Sequence, residues 1–175
     1  FEDYLGRQPI DAFAIDRPDN QQRTNVLVTG PTLSLRPDPR TRVLDWRSVS
    51  GIAHRGGTIL GTSNRANPLA SEATAAQTLA HARALGLDAL VAIGGDGTMA
   101  IAHGLAERGL PVVGVPKTID NDLCHTDRSF GFDSAVAVVA EALDRLETTA
   151  RSHGRVMIVE TMGRYAGWIA LEGGL

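Results

Sequence analysis

Residues 89–98, ALVAIGGDGT, decide the fold. Ala89–Ile93 is a continuous apolar run, and it ends in Gly94-Gly95-Asp96-Gly97-Thr98. A helical pattern, Thr98–Arg108, starts at once behind the glycines. Uninterrupted apolar strands are those buried on both faces, as in a parallel sheet covered by helices. The run, the glycine turn and the helix therefore read as one half of a β–α–β unit.

The same alternation continues downstream. Pro111–Val115 (PVVGV) is a second apolar strand. Asp133–Ala150 reads as a helix, with Val136, Val139, Ala140, Leu143 and Leu146 on one stripe and Asp133 or Ser134 as N-cap. Val156–Val159 reads as a further strand, and Tyr165–Leu171 begins another helix. Upstream, Ser71–Leu85 is a helix with Ala73, Ala76, Leu79, Ala80 and Ala84 on one face and Gly86 as its stop. Thr24–Gly30 is a short buried strand. Residues 31–47 mix Pro31, Pro37 and Pro39 with Arg36, Arg40, Arg42 and Arg47, which predicts a loop. The predicted class is α/β: a doubly wound, mostly parallel sheet with helices on both faces.

Composition excludes several classes of function. The chain has 175 residues, 43% hydrophobic and 21% charged, which is ordinary for a globular protein. Its net charge of −3 gives no general attraction to nucleic acid or to an anionic membrane. No stretch approaches the about 20 apolar residues of a spanning helix. The opening FEDYLGRQPI has neither a basic n-region nor an apolar h-region, so it is not read as a signal peptide. Cys124 stands alone, which excludes an internal disulfide framework and fits a reducing cytoplasm. It is expected to be small and buried. The five histidines show no metal-ligand spacing, and His54 and His153 are expected to be structural.

In α/β sheets, ligands sit beyond the carboxyl ends of the strands. The first such end is Gly94–Thr98. Its glycines let backbone N–H groups approach a ligand, and the helix behind them points unpaired N–H groups and a positive dipole end at the same place. Asp96 suits a phosphate neighbour if Mg2+ lies between them. A tight turn with an Asp cap is the plainer alternative. The second end is Pro116-Lys117-Thr118-Ile119-Asp120-Asn121-Asp122. If Ile119 points into the core, Thr118 and Asp120 face the cleft together. A carboxylate there can take the proton of an alcohol during phosphoryl transfer, with Asp122 orienting it. The alternative is a polar loop with Asx turns. The third end is Glu160–Arg164, where Arg164 can clamp phosphate or pair with a surface carboxylate. Arg155 lies at the opposite end of the last strand, so a functional role for it needs a neighbouring chain.

These motifs are identifiable. GGDGT (94–98), PKTIDND (116–122), GFDSA (131–135), SHGRVMIVE (152–160) and TMGRYAGWIAL (161–171) resemble the 6-phosphofructokinase family, as does HRGGTILGTSNRANP (54–68). The pairing of PKTIDND with MGR is specific to that family. The resemblance implies a phosphofructokinase-like large lobe that moves a phosphoryl group to the 1-hydroxyl of fructose 6-phosphate in glycolysis. It implies Asp120 as general base with Asp122 in support, and Mg2+ on Asp96. Gly94, Gly95, Gly97 and Thr98 would cradle the donor phosphates. Thr118 and Arg164 would hold the transferring group, and Ile119, Met162 and Gly163 would line the sugar. Asn64 and Arg65 fall where the family contacts the donor nucleotide. Arg155 would reach the 6-phosphate of a substrate held by a neighbouring subunit, which implies a homo-oligomer, and the family is allosteric.

Two positions bear on the donor. Gly97 leaves room for the α-phosphate and ribose of ATP, where an aspartate would fill the space and repel. Lys117 is the residue found in pyrophosphate users. ATP is expected, with pyrophosphate as the alternative, because a flexible lysine can swing aside and a missing cavity cannot be made. Residues 1–50 match the family poorly, and Val26–Pro31 is the only candidate for its first glycine turn. Residues 51–175 read as the donor-binding and catalytic lobe. The family continues for roughly as long again with a second lobe, so the chain reads as a fragment. Little kinase activity is expected of it alone, and the alternative reading is a non-catalytic phosphate-binding module.

Overall fold

The computed structural model describes the backbone of residues 11–13, 25–29, 41–44, 46–59 and 67–175, with side chains for 47–59 and 67–175. Asn64, Arg65 and residues 31–40 of the loop predicted over 31–47 lie outside the described residues. The described rest of that stretch is not a loop: Thr41–Leu44 is a strand and Trp46–Val49 a short helix, because 41–44 find a ladder partner in Asn25–Val28 that the prolines and arginines do not announce. The chain divides into two compact units, Phe1–Val115 and Pro116–Leu175.

The first unit begins with strands β1 (Asp11–Phe13), β2 (Asn25–Thr29) and β3 (Thr41–Leu44), followed by a short helix α1 (Trp46–Val49). Helix α2 (Glu72–Ala84), strand β4 (Leu90–Gly94), helix α3 (Asp96–Glu107) and the start of β5 (Val112–Thr118) complete it. The strand order is β3-β2-β1-β4-β5. The expected β–α–β unit is present as β4–α3–β5, with the two strands side by side; Leu90 N–H donates to the Pro111 carbonyl just before β5, at 2.8 Å. The N-terminal strands add an antiparallel region. β1 pairs antiparallel with β2 (Ala12↔Val28) and with β4 (Ala12↔Ala92), and β2 pairs antiparallel with β3. Antiparallel strands at the margin of a parallel sheet are common in α/β proteins.

Ser71 caps α2, accepting from Thr74 N–H at 3.2 Å, while Thr74 Oγ1 accepts from Ser71 N–H at 3.0 Å. This is a capping box built with threonine instead of glutamate. The buried stripe of α2 is Ala75, Thr78 and Ala82, not the alanine face expected from the sequence; Ala73, Ala76, Ala80 and Ala84 are exposed. Alanine favours helix wherever it stands, so its spacing says little about which side is covered. The core gathers Ala82, Leu90, Leu105 and Leu110, with Leu69, Leu79 and Ile101 packed against them. Each fully buried leucine contributes about 1.5–3 kcal/mol. That packing, and not surface charge, sets the angle at which β4 delivers Gly94 to the head of α3.

The second unit holds the end of β5, then β6 (Phe130–Gly131), helix α4 (Phe132–His153) and helix α5 (Trp168–Gly173). β6 pairs parallel with β5, Lys117 opposite Phe130 and Thr118 opposite Gly131. The stripe expected on α4 is the half-covered one, at Val136, Val139, Ala140, Leu143 and Leu146. Its N-cap is Gly131 at φ 104°, two residues before Asp133 and three before Ser134, the caps expected. Gly154 ends it in the left-handed region, with Arg155 N–H donating to Ala150 O at 3.0 Å. That is a Schellman-type stop. The strand expected at Val156–Val159 is absent from the described secondary structure. Val156 and Ile158 are 91% and 93% exposed. β-branched residues favour a pleated surface, but a strand forms only where a ladder partner completes it.

Candidate active site

Each unit carries one part of the candidate chemistry. In the first, β4 ends at buried Gly94 and Gly95, and Gly95 is the N-cap of α3 with no side-chain cap. The helix ladder starts with Met99 N–H donating to Gly95 O at 3.0 Å. The backbone N–H groups of Asp96, Gly97 and Thr98 therefore precede the first helical bond, at the positive end of the dipole. Thr98 is buried and Asp96 exposed. Among the described residues, a Cβ placed on Gly97 meets nothing within 4 Å. No described neighbour packs against this glycine.

Asp96 suits a magnesium ion in one respect. Among the described residues no three His, Cys, Asp or Glu side chains converge into a cage. Mg2+ does not need one, since it takes one or two carboxylates and fills its remaining positions with phosphate oxygens and water. An exposed carboxylate at an amide-lined helix start is such a half-site.

In the second unit the chemistry is built on the end of β5. Thr118 and Asp120 are buried, with exposures of 3% and 5%. Asp120 N–H donates to Thr118 Oγ1 at 3.2 Å, and that hydroxyl donates to Asp120 Oδ2 at 3.4 Å. The two side chains lie on one side of the chain, as the alternation predicts. Ile119 packs its Cγ2 against the position a Gly131 Cβ would take, 3.6 Å away. The pair is more enclosed than a cleft-facing pair was expected to be, because Thr118 is still strand and is covered by β6.

Burial raises the Asp120 pKa above its ordinary value of 3.8, and the charge of Asp122 raises it further. The Thr118 hydrogen bond and the charge of Arg164 act in the opposite direction. Asp122, Thr118 and Arg164 therefore all act electrostatically on Asp120. Arg164 sits at φ 53° and its guanidinium lies 5.3 Å from the Tyr165 ring centroid. Gly163 precedes it in a tight turn closed by Ala166 N–H to Gly163 O at 2.8 Å. A Cβ on Gly163 would overlap the Ala166 carbonyl oxygen. Met162 is exposed, and Lys117 is half-buried. Arg155 is exposed beyond the end of α4. Cys124 is exposed, contrary to expectation; its loop leaves the strand, so the apolar surroundings that would cover it are missing.

Sequence reasoning missed Asn121 and Ser129. Asn121 stands at φ 52°. Ser129 N–H donates to its Oδ1 at 2.8 Å, and Ser129 Oγ donates to Thr118 O at 2.8 Å. The one sequence signal was the asparagine itself, which enters the left-handed region more readily than other side-chain-bearing residues.

Amides at a helix start and a buried carboxylate within the electrostatic influence of an arginine are features that phosphoryl transfer can use, and comparison with known proteins narrows the class. The family signature described as Phosphofructokinase matches residues 28–175, and the chain belongs to that family. It is 58% identical over 140 residues to ATP-dependent 6-phosphofructokinase 2 of Streptomyces coelicolor, covering 79% of this chain and 40% of that protein. It is 56% identical over 133 residues to a pyrophosphate–fructose 6-phosphate 1-phosphotransferase of the same organism, covering 75% and 39%. The fold matches phosphofructokinase from Saccharomyces cerevisiae with a TM-score of 0.70 at 31% identity, over 82% of this chain and 22% of that one. The α/β phosphofructokinase fold is thus established, and the chain spans about 40% of the length of these bacterial relatives.

Proposed function

We propose that the chain carries the donor-binding and base-bearing part of a 6-phosphofructokinase, transferring the terminal phosphoryl group of ATP to the 1-hydroxyl of fructose 6-phosphate. The observation that carries this reading is the Thr118–Asp120 pair: a buried carboxylate of raised proton affinity, oriented from its own strand end. A base is most effective when its pKa is drawn toward the working pH. As the sugar oxygen bonds to the terminal phosphorus, its proton passes to Asp120. The bond from phosphorus to the bridging oxygen breaks, and its electron pair leaves on ADP. Asp122 strengthens the base by repulsion. Arg164 faces the negative charge of the moving group with a planar fork. Thr118 spends its proton on Asp120, so it must rotate before it can donate to a phosphoryl oxygen, which only accepts.

The amides of Gly95, Gly97 and Thr98 take the donor phosphates, together with Gly94 at the strand end. Asp96 holds Mg2+, which when bound neutralises donor charge. Met162 and Gly163 line the sugar with Ile119. Arg155 serves the 6-phosphate of a neighbouring subunit in a cytoplasmic homo-oligomer, and Asn64 and Arg65 contact the nucleotide. No helix among the described residues is long and apolar enough to cross a membrane.

Pyrophosphate is the second reading. Lys117 favours it, and a relative at 56% identity bears that name. Gly97 in place of an aspartate favours ATP, and no described neighbour approaches its Cβ position within 4 Å. The test is turnover with each donor, measured on the full-length enzyme because little activity is expected of this chain alone. Release of ADP from ATP that depends on fructose 6-phosphate supports the proposal. Turnover with pyrophosphate alone reverses the choice of donor. Binding of Mg-ATP without any transfer identifies a phosphate-binding module instead.

A further inference from the structure

The chain between β5 and β6 is closed by hydrogen bonds that no step of phosphoryl transfer requires. Asn121 supplies both ends of the closure. Its Oδ1 accepts the Ser129 N–H at 2.8 Å, and its Nδ2 donates to the Asp127 carbonyl at 3.4 Å. Ser129 is buried and sends its hydroxyl to the Thr118 carbonyl at 2.8 Å. Thr118 in turn holds both the amide and the carboxylate of Asp120. The links run in series, from Asn121 to Ser129 to Thr118 to Asp120.

The backbone conformation alone does not call for this residue. At φ 52° a glycine is easier than an asparagine. What asparagine adds is an acceptor and a donor on one planar group, which suits it to hold two backbone groups of the returning loop. We propose that Asn121 is a positioning residue: it closes the 121–129 loop on Ser129, and through Ser129 on Thr118, so that the Asp120 carboxylate stays fixed at the strand end. This rests on the reading of Asp120 as the base.

A loosened loop admits water to Asp120. Burial is the largest cause of its raised proton affinity, ahead of Asp122, while Thr118 and Arg164 pull the other way. Relief of burial therefore lowers its pKa toward the ordinary 3.8. A purely conformational role for Asn121 moves nothing at Asp120 when glycine replaces it.

The experiment compares the parent chain with Asn121→Gly by carbon NMR titration of the Asp120 carboxyl and by hydrogen exchange at the Ser129 amide. The expected result is a downward shift of the Asp120 midpoint and exchange at Ser129 faster by about tenfold, the scale of one lost hydrogen bond. A folded Asn121→Gly protein in which Asp120 titrates as in the parent overturns the proposal. If that variant does not fold, Ser129→Ala cuts the same series at its next link, the hydroxyl on the Thr118 carbonyl. A downward shift of the Asp120 midpoint is expected there too, and an unchanged midpoint overturns the proposal. An Asp120→Asn protein with undiminished phosphoryl transfer removes the base reading and leaves these two measurements unaffected, so the two failures are distinguishable.

Discussion

Asp120 is held by a residue two positions before it: the Thr118 hydroxyl accepts its backbone N–H at 3.2 Å and donates to its carboxylate at 3.4 Å. Because Thr118 is paired in the sheet opposite Gly131, this local contact transmits the rigidity of β5 to the carboxylate. An amide in place of the acid can still accept the Thr118 hydroxyl through its Oδ1, so Asp120→Asn should separate proton transfer from shape.

Asp120→Asn should lower phosphoryl transfer by about 10²–10⁴-fold, the usual weight of a positioned base. Its stability should change in the other direction. The folded-state pKa of Asp120 lies above 3.8, so between those two values the folded chain keeps a proton that the unfolded chain has lost. Stability falls as pH rises through that window, and above it the ionised group is a net cost. The amide removes the cost. Asp120→Asn should melt higher than the parent near neutral pH and show no advantage below 3.8. Thermal melts at the two pH values check the sign, and equal melting temperatures near neutrality would contradict it.

Gly97→Asp should suppress turnover with ATP far more than turnover with pyrophosphate. A Cβ at Gly97 meets nothing within 4 Å among the described residues, so none of them opposes the substitution. Any loss then reports the ligand, through a filled volume and a carboxylate placed against the α-phosphate. Steady-state rates with the two donors, with a melting curve as the folding control, decide it. Parallel losses with both donors would show that the residue does not discriminate.

The strands and helices that bear the site were legible because their signals are local. The apolar run 89–93 followed by glycines became β4 and the head of α3, and PKTIDND placed Thr118 and Asp120 together. What escaped depends on partners distant in sequence. Val156 and Ile158 look like a strand, yet a ladder needs a neighbour that the residues themselves do not name. The antiparallel pairing of β1 with β4 has no periodic signature in three residues. Asn121 reads as one more polar loop residue until Ser129 is seen to fold back onto it.

Gly163→Ala should destabilise the second unit by about 1–3 kcal/mol, the range for an overpacked position. The added methyl would overlap the Ala166 carbonyl oxygen, and that residue's N–H closes the turn at 2.8 Å. The carbonyl and the turn cannot both stay in place, so Arg164 is displaced with them. Arg164 opposes the rise in the Asp120 pKa; its displacement should raise that pKa further and move the acid limb of the rate profile to higher pH. An unchanged acid limb would show that Arg164 keeps its place despite the strain.

Gly173→Ala should separate α5 from α4. Gly173 is buried, and its added Cβ would lie 2.7 Å from Val139 Cγ1 and 2.9 Å from Val139 Cβ. These are backbone-proximal atoms of a stiff β-branched side chain, so relief requires the helix to move. Glu172 is next in the chain and pairs with Arg128 at 2.9 Å; Arg128 also pairs with Asp133 in the first turn of α4. Solvent screens this ion pair, so it contributes little by itself. Glu172→Gln should therefore cost little, while Gly173→Ala should cost about 1–3 kcal/mol. If steric overlap is the cause, Val139→Ala should recover part of the loss in the double variant, because it removes the 2.7 Å overlap with Cγ1 and keeps the 2.9 Å one with Cβ, although alone it leaves a small void. Denaturant melts of the four proteins give the coupling. Additive effects would place the cause in the backbone of α5 and not at the Gly173–Val139 contact.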